Sequence, residues 1–201
     1  MVAGGSRGAN VCLASNFRGG NTTLTLSVLA PADHVGLTVQ EQPSLYWYLS
    51  AATSCRVEVT LTDEQAIEPM LELSLGPPTT AGLQRVRLVD HGVHLVPGVL
   101  YQWAVALIPD PDHRSKDIIA MGGLKRTETT EALQAKLVRA NKMEVAATYA
   151  EAGLWYDAVA AISDLIATAP QDSALRTQRA ALLEQGRLPE VAAYDRERDG
   201  Q

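Results

Sequence analysis

The chain has 201 residues, with 17 basic and 23 acidic side chains and a formal charge of −6. Hydrophobic residues make up 46% and charged residues 20%, the balance of a globular chain rather than a disordered one. A pI near 5.2 argues against a nucleic acid or an anionic membrane held through bulk charge, and no apolar run approaches the roughly 20 residues of a membrane helix.

The opening stretch, MVAGGSRGAN, has no apolar run of the kind a signal peptide carries. The expectation is either a cytosolic chain or a mature segment with a start Met added. Two cysteines follow, Cys12 and Cys55. They suit one disulfide or two partly buried thiols, and they are too few and too far apart for a zinc site.

As far as about residue 127 the apolar residues alternate. TLTLSVL (23–29) places Leu24, Leu26 and Val28 on one face. SLYWYLS (44–50) places Leu45, Trp47 and Leu49 on one face and Tyr46 and Tyr48 on the other. RVEVTLT (56–62), LELSL (71–75) and LQRVRLV (83–89) continue the pattern. YQWAVAL (101–107) groups Tyr101, Trp103, Val105 and Leu107, and a short apolar run, DIIAM, follows at 117–121. Turn-forming stretches such as GPPTTAG and PDPD separate the runs. Short alternating strands with turns about every ten residues predict a β-sandwich. In LVPGVLYQWAV, Tyr101 follows a turn at Pro97 and Gly98 and opens an apolar strand. It resembles the tyrosine corner of immunoglobulin-like and fibronectin type III domains, a structural role.

From about residue 129 the period changes. Leu133, Leu137 and Val138 fall on one helical stripe, and Val159, Ile162, Leu165 and Ile166 on another. Gly153 and Pro170 are breakers, Gly186 is placed at a helix C-cap, and Pro189 opens a last short helix. YAEAGLWYDAVAAISDLIATAP resembles a tetratricopeptide unit, a helical hairpin of about 34 residues. Tyr149 is then the packed aromatic of the first helix, Gly153 the turn, Ala158 the tight contact and Pro170 the close. A second, degenerate copy follows, with Gly186 and Ala192 in the equivalent places. Trp155 and Tyr156 open the second helix of the first unit. They serve either as hinge packing or, Trp155 above all, as an exposed anchor for a partner.

Little in the chain points to catalysis. His91 and His94 lie three apart in a turn-like stretch, where they do not share a face. PDPDHRSKD (109–117) offers Asp110, Asp112 and Asp117 as oxygen ligands, but it lacks the glycine and terminal glutamate of an EF-hand loop. It reads better as a connecting loop in which Arg114 pairs with a neighbouring Asp. There is no G-x-S-x-G and no phosphate-cradling glycine loop.

Several of these stretches, in order, resemble the bacterial, mainly cyanobacterial, domain-of-unknown-function family 928. They are GGSRG with Cys12, LTLSVLAPADHVGLTVQEQPSLYWYL, LVPGVLYQWAVALIPDPDHRSKD, LKRTE and YAEAGLWYDAVAAI. The resemblance implies an exported protein whose signal has been removed. By genomic association it implies partners such as CHAT-domain peptidases, CHASE-type sensors or two-partner secretion components. It aligns Arg114, Ser115 and Asp117 with the family's Arg-Ser-x-Asp loop. Pro109 and Gly123 depart from the family, which tends to carry Cys and Trp at those places. With that Cys missing, Cys55 is the remaining candidate partner for Cys12.

The expected fold is α+β. An antiparallel immunoglobulin-like or fibronectin III-like β-sandwich spans residues 8–127. A TPR-like helical appendage spans 129–197 and packs on the sandwich or on a partner. Trp47, Trp103, Tyr101, Tyr149, Gly153, Ala158 and Pro170 are expected to be structural, and Trp155, Tyr156, Arg114, Ser115 and Asp117 to be contact candidates. The expected role is a non-catalytic interaction or adaptor module of the bacterial cell envelope that needs no cofactor. It would be periplasmic or extracellular, with the cytoplasm the other location. Two alternatives stand beside it. One is a sensor or accessory subunit binding a small ligand where sandwich and helices meet; the other is a hydrolase with an unrecognised site.

Overall fold

The computed structural model describes residues 24–78 and 80–197. Residues 8–23 of the expected sandwich, Cys12 among them, lie outside the described residues. The fold is α+β, with eight strands followed by five helices among the described residues. Strands β1 (Leu26–Val28), β3 (Ser44–Leu49) and β6 (Gly82–Arg87) form a three-stranded sheet in the order β1-β3-β6. Strands β2 (Gly36–Thr38), β4 (Arg56–Asp63), β5 (Leu71–Leu75), β7 (Leu100–Ile108) and β8 (Ile118–Arg126) form a five-stranded sheet in the order β2-β8-β7-β4-β5.

Alternation explains which face each strand buries. Val57, Val59 and Leu61 of β4 stand opposite Leu107, Val105 and Trp103 of β7, and all six are fully buried. Leu45, Trp47 and Leu49 of β3 belong to the same hydrophobic cluster, so the two sheets share one core. Tyr46 and Tyr48, on the other face of β3, are buried as well. The helices cover that face, with the Tyr48 and Tyr194 rings 5.1 Å apart. The Tyr101 hydroxyl oxygen accepts the Val96 N–H at 2.8 Å, five residues upstream.

Three strand expectations need correction. The sheets are not wholly antiparallel, because β2 pairs in parallel with the end of β8, Gly36 opposite Leu124 and Thr38 opposite Arg126. Three residues are too few for a period of two to show, which is why GLT gave no strand signal. LQRVRLV stops being a strand at Arg87, where a 3₁₀ turn over Leu88–His91 closes on Gly92 at φ 64°. DIIAM is only the start of a nine-residue strand, its continuation hidden by Gly122, Gly123 and the basic pair Lys125 and Arg126.

The helices are α1 (Glu131–Arg139), α2 (Lys142–Glu151), α3 (Trp155–Thr168), α4 (Ser173–Gln185) and α5 (Pro189–Glu197). Thr130 caps α1 by accepting the Leu133 N–H, and Asn141 and Glu144 form a capping box that starts α2. The expected stripe is only partly buried, with Leu137 half-buried on α1. Leu133 is buried, but Val138 is 81% exposed. At the α2–α3 turn Gly153 takes φ 73°, and the Leu154 and Gly153 N–H groups return to Tyr149 and Ala150. This is the paired bonding of a Schellman turn. The α4–α5 turn repeats it, with the Leu188 and Arg187 N–H groups bonded to Leu183 and Glu184. Gly186 is the C-cap, but its φ is −77°, and Arg187 takes the left-handed conformation at φ 59°.

Trp155, Tyr156 and Val159 of α3, Ala180 and Leu183 of α4, and Val191 and Ala192 of α5 join the core cluster of the sheets. A second cluster of Ala146, Ile162, Ile166 and Leu175 holds the helices to one another. The helices are therefore a third layer laid on the sheets. Among the described residues no helix is long and apolar enough to cross a membrane.

Candidate functional site

The two aromatics at the start of α3 are not surface anchors. Trp155 is 7% exposed and Tyr156 2%. The chain leaves the three-stranded sheet after β1 and crosses to β2, and the first turn of α3 fills the gap this leaves. There the Trp155 indole N–H donates to the Leu29 carbonyl at 2.9 Å. The Tyr156 hydroxyl donates to the Gly123 carbonyl at 2.8 Å and accepts the Trp103 indole N–H at 2.9 Å. Burial pushes the Tyr156 phenol well above its ordinary value. Both rings bury apolar area while their polar tips find partners, the usual solution for a buried Tyr or Trp.

Two glycines make room for these rings. A Cβ on Gly36 would sit 2.6 Å from Tyr156 Cε2, and a Cβ on Gly186 would collide with the Trp155 ring. Neither role has a local signature. Ala158 is fully buried at the tight helix contact, Tyr149 is half-buried, and Pro170 is exposed between α3 and α4.

Asp157, beside these aromatics, is not among the expected contact residues. It is 3% exposed, and its Oδ2 accepts the Val39 N–H at 3.1 Å. Its Oδ1 is buried without a hydrogen-bond partner. Burial pushes its carboxyl above the usual carboxylate value, opposed by the Thr38 hydroxyl.

The outward surface of the helices is grooved. A cleft of about 300 Å³ runs between α2 and α4, with Ala147, Ala150 and Glu151 on one wall, Ala181 and Gln185 on the other and Ile162 in its lining. A second cleft of about 520 Å³ between α1 and α2 shares Ala147 and Glu151 with it. Alanines on the walls hold the side chains back and leave room for a guest. The Lys136–Glu151 pair at 3.8 Å lies on the second cleft.

The loop at 109–117 lies apart from this groove, beside Glu58 of β4. Arg114 donates to Asp117 and to Glu58, each at 2.6 Å. Asp110 pairs with His113 at 2.7 Å and Lys116 at 3.1 Å. Lys116, then His113, holds the Asp110 carboxyl below its ordinary value. Ser115 is exposed in a short 3₁₀ turn, Arg114–Lys116. The His113 and Arg114 side chains of these pairs are exposed, so solvent screens the contacts. The loop does not meet Trp155 or Tyr156, and neither aromatic lines the clefts described above or a third of about 660 Å³ along β1 and β8. Among the described residues no group of three or more His, Cys, Asp or Glu side chains is placed to hold a metal ion. His34, His91, His94 and His113 are all exposed. Cys55 is buried and disulfide-bonded.

Comparison with curated proteins returns no match. A family model, described as Domain of Unknown Function (DUF928), matches residues 2–195, nearly the whole chain. The stretch it covers includes both sheets, all the turns that seat Trp155 and Tyr156, and almost all of α5, so the chain belongs to the DUF928 family.

Proposed function

We propose that this chain is a non-catalytic protein-interaction module that presents the groove between α2 and α4 to a partner protein. One observation carries the reading. The large aromatics that looked like contact residues are spent on fixing the helices to the sheets, while the concave face of small residues is left to solvent. A rigid scaffold with an open, alanine-lined groove suits an extended or helical peptide segment. Affinity capture from the source organism with the wild-type chain and with Ala181→Arg tests it. Ala181 is exposed, so the variant should fold normally while the new side chain fills the cleft. A protein recovered by the wild type and lost with Ala181→Arg supports the reading; equal recovery by both contradicts it.

The scaffold is read as an immunoglobulin-like sandwich carrying a TPR-like hairpin pair. The strand order, the split of β1 and β2 between the sheets, and the Tyr101–Val96 bond support the first. Two Schellman turns separated by about 34 residues, at Gly153 and Arg187, support the second. Ala158 and Ala192, each five residues past its turn residue, are both fully buried.

The cell envelope is the compartment proposed for it. The bonded state of Cys55, with Cys12 the chain's other cysteine, favours an oxidising location. Alkylation of the native protein without reductant, followed by intact mass, is expected to modify neither cysteine. Two modified thiols would contradict both the bridge and the compartment.

A further inference from the structure

We propose that Asp157 is a proton-controlled latch between the helices and the sheets, closed when its carboxyl is protonated and loosened when it is ionised. The geometry is that of an interface. Asp157 lies in the first turn of α3, and its Oδ2 holds the backbone of Val39, the residue just past the end of β2. Its Oδ1 faces protein on all sides with no hydrogen-bond partner. A buried carboxylate oxygen with nothing to bond is costly when charged, a cost that protonation removes.

The surroundings supply no countercharge. From the β2 end, Thr38 and Gln40 offer hydroxyl and amide groups that favour the charge in part. From α2 the facing group is the Tyr149 phenol, itself pushed up by burial and then by Asp157. From β8, Arg126 stands opposite Thr38, but its guanidinium goes to the Leu95 carbonyl and towards Glu41. Lys125, one residue before it, points to the other face by strand alternation. Asp195, the other buried acid among the described residues, differs in being clamped by Arg179 through two bonds of 2.7 and 2.6 Å.

The direction follows from linkage. Burial raises the folded-state value of Asp157 above 3.8, so its contribution to stability is complete below 3.8 and is lost as pH rises through the folded value. Each unit by which the folded value exceeds the unfolded one is about a tenfold change in the opening equilibrium. The interface should therefore open more readily at neutral pH than in mild acid.

Two readouts on the full chain test it. In an NMR titration, the Val39 amide should shift with a midpoint above the ordinary carboxylate range near 3.8. Hydrogen exchange over 36–40 and 155–160, corrected for the intrinsic pH dependence of exchange, should show protection that falls severalfold between mild acid and neutral pH. In Asp157→Asn that fall should be absent. Should Asp157→Asn not fold, Thr38→Val decides, because removing the hydroxyl that favours the charge should move the Val39 midpoint higher. A Val39 midpoint at or below 3.8, or an equal pH dependence in wild type and variant, would overturn the latch.

Discussion

Tyr156 shows how much of this molecule depends on single polar atoms. Its hydroxyl joins three elements, taking the Trp103 N–H from β7 and giving its own proton to Gly123 on β8. Removing one partner of a buried bond leaves the other unsatisfied, at about 1–3 kcal/mol. Tyr156→Phe should destabilise the chain by about that amount in denaturant unfolding, with the ring packing intact; an unchanged midpoint would mean that the two bonds are not formed in solution. The place of Tyr156 at a helix start was legible in the sequence, because Gly153 and the aromatics mark a turn. Its orientation was not. Trp155 bonds Leu29, 126 residues away, and Tyr156 bonds Gly123, 33 residues away, and no local pattern carries such distances. The same holds for Gly36 and Gly186, whose missing side chains matter only because of rings brought in from α3.

At the scale of elements, the helical hairpins were readable from their breakers, and most strands from their alternation. The short β2 and the boundary at Asn141 were not, for opposite reasons. β2 has too few residues to show a period, whereas 129–151 has a continuous helical composition interrupted only by a cap. What locks the last three helices together also escaped the sequence. Arg179 of α4 makes a two-bond contact with Asp195 of α5 and reaches Ser163 of α3 at 3.1 Å. All three are buried, with Asp195 at 1% exposure. Breaking a buried pair from one side strands a charge and costs about 3–5 kcal/mol, while replacing both partners with apolar groups costs much less. Asp195→Ala should therefore be severely destabilising in thermal or denaturant unfolding, and Arg179→Met with Asp195→Leu should recover much of the loss. A double variant as unstable as the single one would show that the pair is more than a satisfied charge.

For the whole molecule, the decisive feature is that one core runs from the five-stranded sheet through the three-stranded sheet into α3, α4 and α5. The sequence suggested two units and could not say what covered the helices. Tyr46 and Tyr48 held the answer, since β3 is apolar on both faces and so must be buried on both. With α3 committed to the sheets, the groove bounded by α2 and α4 is the surface proposed to engage another protein. The direct measurement is a binding titration of the captured partner against wild type and Ala181→Arg, with both proteins shown to unfold at the same denaturant midpoint. Filling the groove is expected to weaken binding at least about tenfold, the equivalent of roughly 1.4 kcal/mol. Equal affinity for the two proteins would contradict the groove as the site of recognition.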